Sequence, residues 1–213
     1  MSGPVHIRDS RTGFDVVVVA ASFGGPAALA AVLGELPVDF PAAVLVVQHR
    51  TARIDTVFVE HLRRRTVLPV RLAREGQQVL ATGVTVLPAR HTGIVDGDRL
   101  RLQPAGSARS ADPLIGSVAA AYGTRAIAVV LTGRLDDGAA GIRTVKRHGG
   151  RTVVEDPASA RAAGMPAAAL ATGCVDLVLP LHTISHALVA LTMAPGAADL
   201  FRVPPASWAQ FVA

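Results

Sequence analysis

Three residues with different chemistry each follow a short apolar run. Ser22 comes after VVVVAA and opens the turn SFGGP. His49 ends AVLVVQH, and Asp137, beside Asp136, lies in LTGRLDDGAAG after AIAVVL. A hydroxyl, an imidazole and a carboxylate are the set an acyl-transfer triad needs. The serine attacks, the histidine takes and returns the proton, and the carboxylate fixes the tautomer and stabilises the imidazolium. Each alone has a plainer reading. A serine in a glycine-rich turn more often caps a helix or contacts an anion. A histidine at a strand end is more often structural, and Asp137 can cap its own helix. Their shared position behind strands carries the hydrolytic reading.

The elements that must position them follow from the apolar pattern. Val16–Ala21 and Ala43–Gln48 are continuous runs rich in valine, as strands covered on both faces require. After the first run, Gly24-Gly25-Pro26 opens a helix, with proline just inside its start. Ile54–Arg65 reads as the next helix and Val67–Leu72 as a strand. Val84–Leu87, Ile94-Val95 and Leu100–Leu102 read as short strands around an Asp96-Gly97 hairpin turn. A loop at 103–111 follows. Alternation then resumes with helix 113–122, strand 126–131, helix 138–148, strand 151–155, helix 166–172, strand 175–179 and helix 182–191. Such alternation predicts an α/β fold: a doubly wound, mostly parallel sheet between two helical layers, with a short antiparallel hairpin. In such sheets ligands bind outside the carboxyl ends of the strands, where Ser22, His49 and Asp137 fall.

Composition narrows the class. With 213 residues, half of them hydrophobic, the chain can bury a large single core and is not disordered. Residues 15–193 read as the domain, 1–14 as an extension, and 194–213 as a tail whose Trp208 and Phe211 dock on the body. The single cysteine, Cys174, excludes a disulfide framework and fits a reducing compartment, so a cytoplasmic protein is expected. Cys174 itself reads as a buried small apolar residue. No apolar run is long enough to span a membrane. The net charge of +5 comes almost wholly from scattered arginines; Lys146 is the one lysine. Aromatics make up only 4%, too few for a stacking platform, so no nucleic-acid partner is expected. The run Arg63-Arg64-Arg65 reads as a solvated face or a patch for an acidic protein.

Competing sites are weaker. AASFG is similar to the elbow of α/β-hydrolases, but that fold runs serine, acid, histidine. Only His148, His182 and His186 lie late enough to serve it. The SFGGP turn lacks both the Walker pattern and G-x-G-x-x-G, so a nucleotide is not expected. No spaced ligand cluster supports a metal. His91 follows a hairpin strand and is placed where it could face the site, but a surface position is expected.

At these residues the sequence resembles the catalytic domain of chemotaxis protein-glutamate methylesterases, the CheB family. The matching segments run in order: AASFGGPAAL, LPVDFPAAVLVVQHR, LPARH, AYGTRAIAVVLTG, DDGAAGIRTVKRHGGRTVVEDPASA, GMPAAALATG and VDLVLPL. The resemblance implies that Ser22, His49 and Asp137 are the catalytic residues. It implies hydrolysis of glutamyl methyl esters on chemoreceptor helices, with deamidation of receptor glutamine, and no cofactor. An acidic protein substrate of another kind, a small-molecule ester, or a binding homologue with little activity are the other readings. Phe23, Gly24, Arg134 and Met165 are candidates for substrate or oxyanion contacts, with Met165-Pro166 opening a helix beneath the site.

Two departures from the family pattern stand beside the site. Phe23 follows the nucleophile where a small hydroxyl residue is usual. The pattern T-G-M-G-x-D-G becomes T-G-R-L-D-D-G, so Arg134 replaces a methionine and Leu135 a glycine. A bulky leucine fits poorly where a loop needs positive φ, which predicts a differently shaped loop. Arg134 either turns outward to Asp136, Asp137 or solvent, or points into the cleft to grip a carboxylate. The receiver domain usual in the family is not found in this sequence, so no phosphorylation switch is expected within it.

Overall fold

The structure is a computed structural model that describes residues 13–50, 54–105 and 109–194. The expected extension up to residue 12 and the tail beyond residue 194, with Trp208 and Phe211, lie outside the described residues.

Valine-rich runs build the centre. In β1 (Val16–Ala21) every residue is buried, because alternate side chains enter different cores. Val17, Val19 and Ala21 join one apolar cluster, and Val16, Val18 and Ala20 join the other. A strand with two covered faces gains from an unbroken apolar run, since each buried valine contributes roughly 1.5–3 kcal/mol. β2 (Ala43–Gln48), β8 (Ala126–Val130) and β9 (Arg151–Glu155) follow the same rule and are buried throughout.

With β3 (Val70–Leu72), β5 (Val84–Val86) and β10 (Leu177–Leu179) they form one seven-stranded sheet, ordered β10-β9-β8-β1-β2-β5-β3. Its recorded pairings are all parallel. Helices α1 (Gly25–Gly34), α2 (Asp55–Arg63) and α6 (Leu181–Met193) supply side chains to one core. Helices α3 (Ala111–Tyr122), α4 (Ala139–Arg147) and α5 (Gly164–Leu170) supply the other. The three-layer, doubly wound arrangement expected from the alternation is therefore present.

Two short segments differ from the sequence reading. Val84–Val86 belongs to the main sheet, between β2 and β3, rather than to the hairpin region. Its three residues are all buried, and Thr85 accepts a 2.9 Å hydrogen bond from the Gln77 side chain. The hairpin is longer than expected and gains a third strand: β4 (Gln77–Gln78) pairs with β7 (Arg99–Pro104), which pairs with β6 (His91–Asp96). The turn residues are Gly97 and Asp98, because Asp96 pairs with Arg99; Gly97 takes φ of 62° at the first central position.

The chain turns from β1 towards β2 on one side and from β8 towards β9 on the other. The crevice at the carboxyl ends of β1 and β8 is thus the switch point of the sheet, where this architecture binds ligands.

Candidate active site

β1, β2 and β8 all end at this crevice, and each delivers one residue. Ser22 follows β1 directly. The start of α1 does not use its side chain: Gly24 is the N-cap, with φ of 86°, and no side-chain cap bond is present. The Ser22 hydroxyl is left for His49, whose Nδ1 lies 3.3 Å from Ser22 Oγ. On the far side of the ring, Nε2 lies 3.1 Å from Asp137 Oδ2. That oxygen is off the direction of the ring N–H, so the contact is electrostatic rather than an aligned hydrogen bond. Catalytic contacts are often loose without substrate and tighten when it binds.

The ring is used with Nδ1 towards the hydroxyl and Nε2 towards the carboxylate. This is the reverse of the serine-protease order, with the same roles available. Acting as base requires the proton on Nε2 and a free lone pair on Nδ1.

Asp137 is nearly inaccessible, at 3% exposure. Burial pushes its carboxyl up. The His49 contact and backbone donors from Ala111, Asp112 and Ser110 outweigh that and hold it below its ordinary range. Those N–H groups, at 2.9, 3.1 and 2.9 Å, open α3, so the carboxylate sits on a helix N-terminus. Asp137 stays ionised at neutral pH, as a partner for an imidazolium must. Its neighbour Asp136 faces elsewhere, at 2.6 Å from Arg109.

Nucleophile and base are tied together through backbone. Gln48 donates to Ser22 O at 2.8 Å and to His49 O at 3.0 Å. Arg50 donates to Gln48 O and Leu87 O, pairs with Asp55 at 2.6 Å and lies over Phe58. Beneath the nucleophile turn, Thr132 donates to Phe23 O and accepts from Ala162 N–H. The Thr132 N–H ends on the buried Glu155 carboxylate at 2.7 Å. Burial raises the Glu155 carboxyl, partly countered by that bond.

The residues line a cleft of about 670 Å³ whose walls include Ser22, His49, Asp137, Arg90, His91 and Arg134. His91 is therefore a wall residue, half-buried, with Nδ1 3.0 Å from Ala89 O, and not the plain surface residue expected. Met165, 1% exposed, opens α5 under Gly133 and is not among the cleft-lining residues. A Cβ on Gly133 would sit 2.1 Å from Met165 Sδ and 2.9 Å from Ser22 Cβ, so only glycine fits there.

Leu135 takes φ of 65°. Leucine thus sits in the left-handed region of the backbone and bears strain there. Arg134 pairs with neither Asp136 nor Asp137; its guanidinium carbon lies 4.3 Å from the Phe23 ring centroid. Asp136 is engaged by Arg109, and Asp137 by His49 and the start of α3.

The late histidines do not serve the nucleophile. His148 caps the carboxyl end of α4, and His182 and His186 lie in α6. Cys174 is buried, as a small apolar residue would be. Among the described residues no cluster of three or more His, Cys, Asp or Glu is placed to hold a metal. No described helix is long and apolar enough to cross a membrane.

Residues 17–188 match the family model described as CheB methylesterase. The chain belongs to the CheB methylesterase family. A Thermotoga maritima CheB methylesterase catalytic domain superposes with a TM-score of 0.76 at 29% identity, covering 84% of this chain and 99% of that one. A Moorella thermoacetica protein named protein-glutamate methylesterase/protein-glutamine glutaminase is 38% identical over 87% of this chain and 46% of its own length. One from Anaeromyxobacter dehalogenans bears the same name with the number 3. It is 44% identical over 81% of this chain and 52% of its own length. The chain thus spans about half the length of the curated relatives it matches.

Gln48, Gly133, Glu155 and Asp112 are among the site residues that sequence reasoning missed. Gln48 had a signal, since it is a polar residue ending an apolar strand. The other three act through contacts between distant segments, which no local pattern records.

Proposed function

We propose that this chain is a serine hydrolase that cleaves glutamyl methyl esters on chemoreceptor helices and deamidates glutamine at such sites. The observation that carries the reading is the line of contacts Ser22 Oγ, His49 Nδ1, His49 Nε2, Asp137 Oδ2 at the switch point of the sheet. The names of its relatives supply the substrate class.

Ser22 Oγ attacks the ester carbonyl while its proton passes to His49 Nδ1. Asp137 stabilises the imidazolium through Nε2. His49 then protonates the departing methoxide, methanol leaves, and a glutamyl-serine ester remains. Water, deprotonated by the same nitrogen, releases the glutamate. With glutamine the first leaving group is ammonia. The backbone N–H groups of Phe23 and Gly24, which follow the nucleophile at the start of α1, are assigned to the developing oxyanion.

The deciding experiment measures methanol release from a methyl-glutamyl receptor peptide. Ser22→Ala is expected to lose at least about 10³-fold in kcat. Asp137→Asn is expected to fall steeply too, and Asp136→Asn to stay within about threefold, because Asp136 serves Arg109 rather than His49. Equal rates for wild type and Ser22→Ala would overturn the reading in favour of a binding homologue.

A further inference from the structure

We propose that Arg134 and Arg161, both stacked on Phe23, form a subsite for a side-chain carboxylate of the substrate, so that esters beside an acidic residue are preferred. This rests on the hydrolase reading above and names what that site selects.

The two arginines reach one ring from different loops, Arg134 after β8 and Arg161 after β9. Their guanidinium carbons lie 4.3 and 5.2 Å from the Phe23 centroid. Phe23 follows the nucleophile, and Gly133, before Arg134, packs against Ser22. The Arg161 stem lies where a Cβ on Gly24 would be, with Cδ 2.9 Å from that point. Gly24, at φ of 86°, is therefore what lets the stem cross the nucleophile turn.

Charge accounting decides what such a pair is for. Among the described residues neither guanidinium has a carboxylate partner, although acids stand close by. Asp136 is taken by Arg109, and Asp137 by His49 and the start of α3. Stacking on an aromatic face orients a guanidinium without neutralising it, leaving its N–H edge for a planar anion. A carboxylate is such a planar anion, and a glutamate beside the ester would supply it.

Strain marks the cleft that Arg134 lines, with Phe23 and Arg161 standing outside its lining residues. Arg90 and Leu135 are the non-glycine residues with positive φ among those described, and both line the cleft. Backbone strain gathers where function needs it. Leu135, 74% exposed beside Arg134, offers an apolar contact next to the charged one.

The test uses two helical peptides with one methyl-glutamyl residue, flanked by glutamate in one and glutamine in the other. Wild type is expected to favour the acidic peptide about 2- to 5-fold in kcat/KM, the upper part of the range for exposed charge pairs. High salt should shrink that preference. In the Arg134→Met/Arg161→Gln double variant the ratio should fall to about one. In Arg134→Glu a lysine-flanked peptide should become the favoured one, which a structural role for Arg134 would not produce. A second arm measures the Kd of the same peptides on Ser22→Ala. An acid preference there, abolished by the double substitution, upholds the subsite even if wild type hydrolyses nothing. Ser22-dependent hydrolysis with one ratio in wild type and double variant overturns the subsite and leaves the hydrolase reading standing.

Discussion

Asp137 and Asp112 each cap the helix that the other introduces. Asp137, just ahead of α4, accepts the N–H groups that open α3, and Asp112, in the first turn of α3, accepts Gly138 and Gly141 N–H at the start of α4. Two helix N-termini are thereby stapled together behind His49. The carboxylate facing the imidazole is fixed by the fold rather than by the imidazole. Burial, aided by the charge of Asp137, raises the Asp112 carboxyl even though it accepts from Gly141 and Gly138.

This exchange separates two substitutions of Asp112. Asp112→Asn keeps an acceptor for Gly138 and Gly141 and should cost less than about 1 kcal/mol in urea unfolding. Asp112→Ala leaves both donors unpaired in a half-buried place and should cost about 1–3 kcal/mol. With the staple gone, Asp137 is freer and kcat should fall more than KM changes.

Glu155 predicts a pH dependence. Its carboxyl is raised by burial, so the folded state binds that proton more tightly than the unfolded chain. Below the ordinary glutamate range of about 4.3 both states are protonated and the charge costs nothing. As pH rises through the raised value, the buried charge weakens the fold. Asp137 has the opposite sign. Its lowered carboxyl contributes stability above the ordinary aspartate range of about 3.9, lost as pH falls through the folded value. Glu155→Gln keeps an acceptor for Thr132 N–H without the charge. It should stabilise by about 1 kcal/mol near pH 8 and by almost nothing near pH 4, compared by urea unfolding.

Leu135 is a case where magnitudes decide. A non-glycine residue at φ of 65° carries roughly 1–2 kcal/mol of strain. Replacing it by glycine removes that strain but also loosens the unfolded chain by about 0.5–1 kcal/mol. Leu135→Gly should therefore change stability by less than about 1 kcal/mol. Leu135→Val, branched at Cβ, should lose about 1–2 kcal/mol because its side chain fits the left-handed region worse. Denaturant midpoints of the two variants check the order.

What the sequence made legible depended on how local the cause was. Val16–Ala21 announced a strand with two covered faces, and its carboxyl end marked the rim on which Ser22 lies. The same reasoning located His49 and the loop of Asp137. Val84–Val86 was harder, because three residues cannot say which sheet they join; burial between β2 and β3 does. Arg134 had Asp136 as its obvious neighbour in sequence. Asp136 instead meets Arg109, 27 positions away, and Arg134 settles on Phe23. Contacts of that separation exist only once the sheet has brought two loops together.

Gly133 shows how closely the site is held from below. In Gly133→Ala the new methyl would meet Met165 Sδ at 2.1 Å and Ser22 Cβ at 2.9 Å. The thioether is flexible and has rotamers to turn into, but Ser22 Cβ is set by the backbone between β1 and α1. The substitution should cost about 1–3 kcal/mol in stability, the usual range for overpacking, and lower kcat at least tenfold by displacing the nucleophile. Overpacking against Met165 alone would make both losses recover together when Met165 is trimmed. In Gly133→Ala/Met165→Ala the clash with sulfur is gone and that with Ser22 remains. Stability should then rise above that of a sum of the single losses, measured as a double-mutant cycle, while kcat stays low. Recovery of kcat to the level of Met165→Ala alone would show that Gly133 acts through Met165 and not on Ser22.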